Sequence, residues 1–208
     1  WRWWCWYSNK VAENLMVMNL RGCYNLTTIP DLSAHHALEK LILERCCGLT
    51  RIHKSIGDAS TLRHLNLRDC SSLVEFPSDV SGLKHLESLI LSGCSELKEL
   101  PQDMGSMNSL RELLIDRTAI EKLPESIFRL TKLERFSLNN CQSLKRLPTC
   151  IGKLGSLREL SLDCSALEEI PNSIGLLENL EKLSLMWCKS LTAIPDSVGN
   201  LKLLTQFW

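Results

Sequence analysis

Cysteine and histidine are the residue types in this 208-residue sequence that could provide nucleophilic, redox or metal-binding chemistry. The ten cysteines include no Cys-x-x-Cys pair, which disfavours a zinc site or a dithiol redox motif. The neighbours Cys46 and Cys47 would react only if a thiol pKa were lowered. The five histidines share no common spacing, and the GxxxxGK[ST], GxGxxG and GxSxG motifs are absent. We therefore expect no catalytic site, no metal site and no cofactor.

The charge balance excludes two further classes of partner. The chain carries 24 Lys and Arg against 24 Asp and Glu, so no basic field is available to hold a phosphate backbone or an anionic membrane. No stretch of eighteen apolar residues occurs. The first residue is Trp1 rather than Met, and we expect the sequence to be a fragment of a longer chain.

The elements that must position any site come from a long repeat. Leucine supplies about a fifth of the residues and recurs every 23 or 24 positions, which is typical of a repeat protein. Blocks begin at Leu15, Leu38, Leu62, Leu86, Leu110, Leu133, Leu157, Leu180 and Leu204. We expect an aromatic flank at 1–14, eight repeats over 15–203 and the start of a ninth repeat at 204–208.

The block at 62–73 reads LxxLxLxxCxxL, which matches the leucine-rich-repeat pattern of one short strand and one turn per repeat. Alternation along that strand turns Leu65 and Leu67 inward and His64, Asn66 and Arg68 outward. The predicted fold is an α/β solenoid, a horseshoe with a concave parallel sheet and a convex side made mostly of turns and 3₁₀ segments. Stacked leucines form its core, because no repeat can bury its own.

Six cysteines occupy one position of the repeat, directly after the strand. We expect these thiols to be buried as weak donors to backbone carbonyls, with disulfides or a metal as the alternative. So many free thiols favour a reducing compartment. The structural ladder comprises Cys23, Cys46, Cys70, Cys94, Cys141 and Cys188.

All seven prolines follow the last inward residue of a block, where a fixed φ and a missing N–H suit the return to the convex side. His53 takes this place in the second repeat, and we expect a looser turn there.

Outward residues of the concave face are the third, fifth, seventh and eighth of each block. Most form a hydrated polar face, but an apolar row at the fifth position, flanked by arginines, favours a protein contact. Met186 and Trp187 form a second outward apolar pair, with packing of Trp187 on the terminal repeat as the alternative. The candidate partner-binding residues are Ile42, Arg45, Arg68, Ile90, Leu114, Arg117, Met186 and Trp187.

With these residues in view, the sequence resembles the leucine-rich-repeat region of plant intracellular immune receptors that carry TIR and nucleotide-binding domains. The resemblance covers about residues 9–208. It depends on cysteine in place of the ladder asparagine, on the phrase LTTIPDLS at 26–33, on the repeated LxLxxCxxLxxLP and on the shortened repeat at 113–124. Thr118 and Ser165 replace ladder cysteines, which departs from the pattern.

The resemblance implies a module that recognises pathogen effectors and restrains the nucleotide-binding domain of the same chain, in the cytoplasm and also the nucleus. TIR-type NADase activity, nucleotide exchange and oligomerisation would belong to other domains, and this region would be no enzyme. The alternative is a cytosolic leucine-rich-repeat adaptor, such as the substrate-binding part of a ubiquitin ligase. The tryptophans at 1–6 would cover the first strand or contact the nucleotide-binding domain.

Overall fold

The computed structural model describes residues 12–208, which form one nine-stranded parallel sheet in sequence order. The aromatic cluster at 1–7 lies outside the described residues. Each strand begins two residues after a block start, because only the alternating part of each block is extended. The strands are β1 (Val17–Asn19), β2 (Lys40–Ile42), β3 (His64–Asn66), β4 (Ser88–Ile90), β5 (Glu112–Leu114), β6 (Arg135–Ser137), β7 (Glu159–Ser161), β8 (Lys182–Ser184) and β9 (Gln206–Phe207).

The strands pair in the register of the repeat, so that equivalent positions are neighbours. Leu41 pairs with Leu65, and Leu65 pairs with Leu89. These inward leucines expose at most 1% of their surface. Equivalent residues from successive repeats therefore stack into one continuous core, which confirms the predicted horseshoe solenoid.

The convex side consists of turns and 3₁₀ helices, with no α-helix among residues 12–208. Pro124, Pro171 and Pro195 immediately precede three of these helices, with φ between −68° and −70°. The 3₁₀ helices span Lys54–Asp58, Met104–Ser106, Glu125–Arg129, Ile151–Lys153, Asn172–Leu176 and Asp196–Asn200.

The looser turn expected at His53 is wrong. His53 has φ −62° and ψ 138°, close to the values of the prolines, and its Nδ1 accepts a hydrogen bond from the backbone N–H of Ser55. The imidazole therefore caps the 3₁₀ helix with its side chain, where proline in the other repeats fixes φ through its ring.

Glycines on the convex side allow successive repeats to approach closely. A Cβ atom on Gly152 would lie 2.1 Å from the carbonyl oxygen of Ser173, and one on Gly175 would lie 2.3 Å from that of Ser197. The sequence predicted turns or brief 3₁₀ segments at these positions, and both glycines lie in 3₁₀ helices. The structure shows that the missing side chain also sets the spacing between repeats.

The thiol ladder forms hydrogen bonds between repeats. The Sγ atom of Cys70 donates to the carbonyl of Leu43 at 3.1 Å, and equivalent bonds of 3.1 to 3.3 Å start from four further cysteines. Thr118 and Ser165 are buried at the same position. Cys46, Cys70, Cys94 and Cys141 are thus buried thiols that donate to backbone carbonyls, as expected, and Cys188 makes the same bond while half-buried.

Cys23 is a correction to the predicted ladder, since its side chain is exposed. It belongs to the first repeat, and no strand precedes β1 within the described residues to supply a carbonyl or to cover the thiol.

Candidate functional site

The concave face presents four rows of residues, two on the strands at the third and fifth positions of the repeat and two in the following turn at the seventh and eighth positions. The row at the eighth position of the repeat adopts the left-handed backbone region in all eight blocks, with φ between 54° and 83°. Gly, Asn or Asp at four of these eight positions was the sequence signal for this turn. The residues are Gly22, Arg45, Asp69, Gly93, Arg117, Asn140, Cys164 and Trp187.

In the C-terminal half of this face, charges at the third position pair across neighbouring strands. Arg135 Nη1 lies 3.2 Å from a carboxylate oxygen of Glu112, and its Nε lies 3.4 Å from Glu159. Lys182 Nζ lies 2.8 Å from the other oxygen of Glu159. The four side chains form an alternating chain of charges, whose members already have partners within the protein.

The seventh position of the same half carries carboxylates that hold the backbone of the next repeat. Asp116 accepts hydrogen bonds from the hydroxyls of Ser92 and Ser137 and from the backbone N–H of Asn139 at 2.8 Å. Asp163 accepts in the same way from the backbone N–H of Met186 at 2.8 Å. These carboxylates act as structural acceptors, because backbone N–H groups and hydroxyls of neighbouring repeats donate to them.

Leu114 differs from the prediction that it forms part of an exposed apolar stripe. It exposes only 6% of its surface. The ion pair between Glu112 and Arg135 flanks it at the third row, and the hydrogen-bonded Asp116 flanks it at the seventh row. Leu114 therefore belongs to the floor of the concave face and is not an accessible contact.

In the N-terminal half of the concave face, residues at the fifth position of the repeat remain partly exposed. Ile42 and Ile90 are both half-buried and lie on either side of Asn66 in neighbouring strands. They line a groove of about 230 Å³, here called the N-terminal groove, which is below the range of roughly 300–1,000 Å³ usual for small-molecule sites. Its lining residues are Asn19, Arg21, Lys40, Ile42, Glu44, His64, Leu65, Asn66, Ser88 and Ile90.

Both carboxylates of the concave face in this half already have cationic partners. Glu44 lies 3.1 Å from Arg21, and Asp69 lies 3.2 Å from Arg117. The second pair spans two repeats and passes over Gly93, where a Cβ atom would lie 2.2 Å from Asp69 Oδ1. Arg117, which we predicted as a partner-binding residue, thus forms an intramolecular ion pair while its side chain remains exposed.

Three exposed cations remain beside the N-terminal groove. Lys40, Arg45 and Arg68 form no ion pair within residues 12–208. Asn66 Oδ1 accepts the backbone N–H of Arg68 at 2.9 Å, which fixes the orientation of the Asn66 amide at the centre of the groove. Of the predicted contact residues, Ile42 and Ile90 line this groove, whereas Arg45 and Arg68 lie in the turns that follow β2 and β3.

Met186 and Trp187 form a second exposed patch near the C-terminal end. Trp187 exposes 75% of its surface, which contradicts the alternative that it packs on the terminal repeat. It lines a shallow groove of about 430 Å³ together with Cys164 and Lys189. Its left-handed φ of 62° is also unfavourable for a residue with a Cβ atom.

The thiols of the ladder are poorly suited to nucleophilic chemistry. Burial raises the pKa of Cys70 to about 12, and it also raises the pKa values of Cys46 and Cys141. Nine described cysteines are free thiols. Within residues 12–208, no three His, Cys, Asp or Glu side chains are placed to hold a metal ion, and no helix could span a bilayer.

Comparison with known proteins identifies this architecture at the level of the family. A family model described as a leucine-rich repeat region matches residues 18–146. No curated protein sequence matches the chain.

Two solved structures share both the fold and about a quarter of the sequence. The leucine-rich repeat domain of the type III effector XopL superposes with a TM-score of 0.75 at 27% identity, covering 92% of this chain and 75% of that domain. The ectodomain of the Arabidopsis thaliana receptor kinase GASSHO1/SCHENGEN3, solved in complex with CASPARIAN STRIP INTEGRITY FACTOR 2, gives a TM-score of 0.72 at 26% identity. The alignment covers 94% of this chain and 24% of that ectodomain.

An internalin C2 from Listeria monocytogenes superposes with a TM-score of 0.68 at 17% identity, which shows the fold alone.

Proposed function

The chain belongs to the family of leucine-rich repeat regions, and from that premise we propose that it is the protein-interaction module of a plant intracellular immune receptor. In this role it recognises a pathogen effector and restrains the nucleotide-binding domain of the same receptor. Signalling then requires other domains, and the repeats themselves perform no catalysis. The proposed compartment is the cytoplasm, with the nucleus as a second location.

The thiol ladder is the observation that carries the intracellular part of the proposal. Cys46, Cys70 and Cys94 occupy consecutive repeats as free, buried thiols whose hydrogen bonds join one repeat to the next. Cysteine at this position favours a compartment that keeps thiols reduced, since oxidation would remove the S–H donor that the carbonyl of the preceding repeat needs.

The open concave face supports the interaction part of the proposal. Its partner-binding residues are proposed to be Ile42, Arg45, Arg68 and Ile90 at the N-terminal groove, with Met186 and Trp187 as a second contact. Exposed aromatic, Met and Arg side chains are enriched at the centres of protein interfaces. The Arabidopsis ectodomain solved in complex with CASPARIAN STRIP INTEGRITY FACTOR 2 belongs to a plant receptor kinase and has this fold, which supports partner recognition as the role.

Sequencing the transcript on both sides of these 208 residues tests the receptor assignment. A phosphate-binding loop and a TIR-type domain upstream are the expected result. An F-box or RING segment would instead favour the ubiquitin-ligase adaptor and would contradict the receptor.

Substitution on the concave face tests the interaction role in the full-length protein. The double variant Arg68→Glu with Arg117→Glu is expected to weaken partner binding. Because Arg117 pairs with Asp69, the matched variant Arg45→Glu with Arg68→Glu separates lost binding from a lost ion pair. If both variants lose thermal stability along with binding, the loss of binding reflects unfolding, and the assignment of the concave face as the binding surface would be contradicted.

A further inference from the structure

We infer that the N-terminal groove binds an extended acidic segment of a protein partner, with one apolar side chain of that segment seated between Ile42 and Ile90. The inference rests on the proposed interaction function and adds the chemistry of the partner. It depends on the charges that remain unpaired on the concave face.

The first step is the charge balance of the groove after internal pairs are removed. Glu44 and Asp69 are neutralised by Arg21 and Arg117 at 3.1 and 3.2 Å. The exposed cations Lys40, Arg45 and Arg68 have no anionic partner within the described part of the chain. This half of the face therefore offers three positive charges to a ligand, although the whole chain is neutral.

The second step is the contrast with the other half of the same face. There the third-row cations Arg135 and Lys182 are held by Glu112 and Glu159 at 2.8 to 3.4 Å. An acidic segment would have to break these pairs before it gained new ones. Electrostatic complementarity thus places the segment on β2–β4, at the N-terminal end of the face.

The third step is the shape of the groove floor. Ile42 and Ile90 are two strand spacings apart, about 9.6 Å, with the smaller Asn66 between them. A depression of about 230 Å³ between two half-buried isoleucines suits a single apolar side chain. Because Asn66 Oδ1 is already bonded to the Arg68 N–H, its amide nitrogen is the group left to donate to a carbonyl of the bound chain.

Selection from a phage library of random twelve-residue peptides on the intact chain tests the inference. The expected binders carry net negative charge and at least one large apolar residue. Their affinity, measured by fluorescence anisotropy of a labelled selected peptide, is expected to fall severalfold between 50 and 300 mM salt, because the exposed charges become screened. Neutral or basic binders, or no binders, would overturn the inference.

A matched pair of charge reversals locates the binding. The variant Lys40→Glu, Arg45→Glu, Arg68→Glu is expected to weaken the selected peptide by about tenfold or more, because each reversal turns attraction into repulsion. The control variant reverses the charge of three exposed lysines that lie outside the strands. It should change the affinity for the selected peptide less than about twofold, because these charges are far from the groove and screened by salt. It combines Lys54→Glu, Lys84→Glu and Lys132→Glu.

The double variant Ile42→Ser with Ile90→Ser tests the apolar contact and should also lower the affinity for the selected peptide by about tenfold. Thermal unfolding of every variant establishes that the repeats still fold. Equal effects of groove and control reversals would contradict the inference. If the transcript encodes an F-box or RING segment and acidic peptides still bind through the groove, the receptor assignment is rejected but this inference stands.

Discussion

Gly152 is the residue at which a single added methyl group tests the stacking of the repeats most sharply. A Cβ atom there would lie 2.1 Å from the carbonyl oxygen of Ser173 and 3.0 Å from the Cβ of Leu176. Real Cβ atoms keep at least 3.0 Å from such neighbours, so the two repeats would have to separate by about 1 Å. That shift is roughly a fifth of the strand spacing and affects every contact between the repeats.

The expected effect of Gly152→Ala is a loss of about 2–3 kcal/mol in the free energy of unfolding, the upper part of the range for overpacked positions. Its size follows from the obstructing atom, which belongs to the backbone and cannot rotate away. For a chain of this length, the loss corresponds to a Tm lower by about 4–12 °C. Thermal and urea unfolding followed by circular dichroism measures both quantities.

Gly155→Ala is the matched control, three residues further along the chain. A Cβ atom at Gly155 meets no other atom within 4 Å, so this variant should stay within about 0.5 kcal/mol of the parent protein. Equal stability of the two variants would refute the view that glycines on the convex side set the distance between repeats.

Three further predictions concern single side chains. Cys70→Ala should lower the free energy of unfolding by about 1–2 kcal/mol at pH 7.5, because it removes the hydrogen bond to Leu43 and leaves a small void. This loss should shrink above pH 9, since the pKa of Cys70 is about 12 in the folded state and lower in the unfolded state, so that high pH already destabilises the parent protein. Urea unfolding of both proteins at the two pH values measures the change. Asp116→Ala should cost about 2–3 kcal/mol through the stranded Asn139 N–H and two hydroxyls, while Asp116→Asn, which keeps an acceptor, should recover part of it in the same assay. Trp187→Gly should raise the free energy of unfolding by about 0.5–1 kcal/mol by relieving its left-handed backbone, and a drop in thermal stability would contradict this.

The long-range plan of the molecule could be predicted from the sequence because it depends on period alone. Leucines such as Leu65 and Leu67 recur at fixed positions, and their alternation determines which face of each strand is buried. The prolines gave the position of the convex turns for the same reason, as Pro124 and Pro171 show. Each of these signals is repeated many times, so a local deviation does not obscure it.

Features that depend on neighbours in space could not be predicted in this way. Leu114 occupies an outward position, yet it is buried in a part of the face where Glu112 and Arg135 pair across strands. Cys23 fits the ladder pattern, yet no strand precedes its own among the described residues. His53 replaces a proline by a different mechanism, a side-chain cap, that no periodic pattern indicates.

The candidate site was predicted in part, for a related reason. Ile42 and Ile90 stood out because apolar residues are unusual in an outward row, and the structure places them in one groove. The sequence did not reveal which charges are available. Arg45 and Arg117 occupy the same position of the repeat, but only Arg117 forms an ion pair, and its carboxylate partner comes from two repeats away.

Photo-crosslinking in the full-length protein tests the central claim that the N-terminal part of the concave face binds a protein. A photoreactive amino acid placed at Asn66 should give a crosslinked partner in the cells that express the protein, and one placed at Lys84, outside the strands, should not. The crosslink from Asn66 should disappear when Ile42→Ser and Arg68→Glu are introduced. Crosslinks of equal yield from both positions, or a crosslink from Asn66 that survives these substitutions, would contradict the claim.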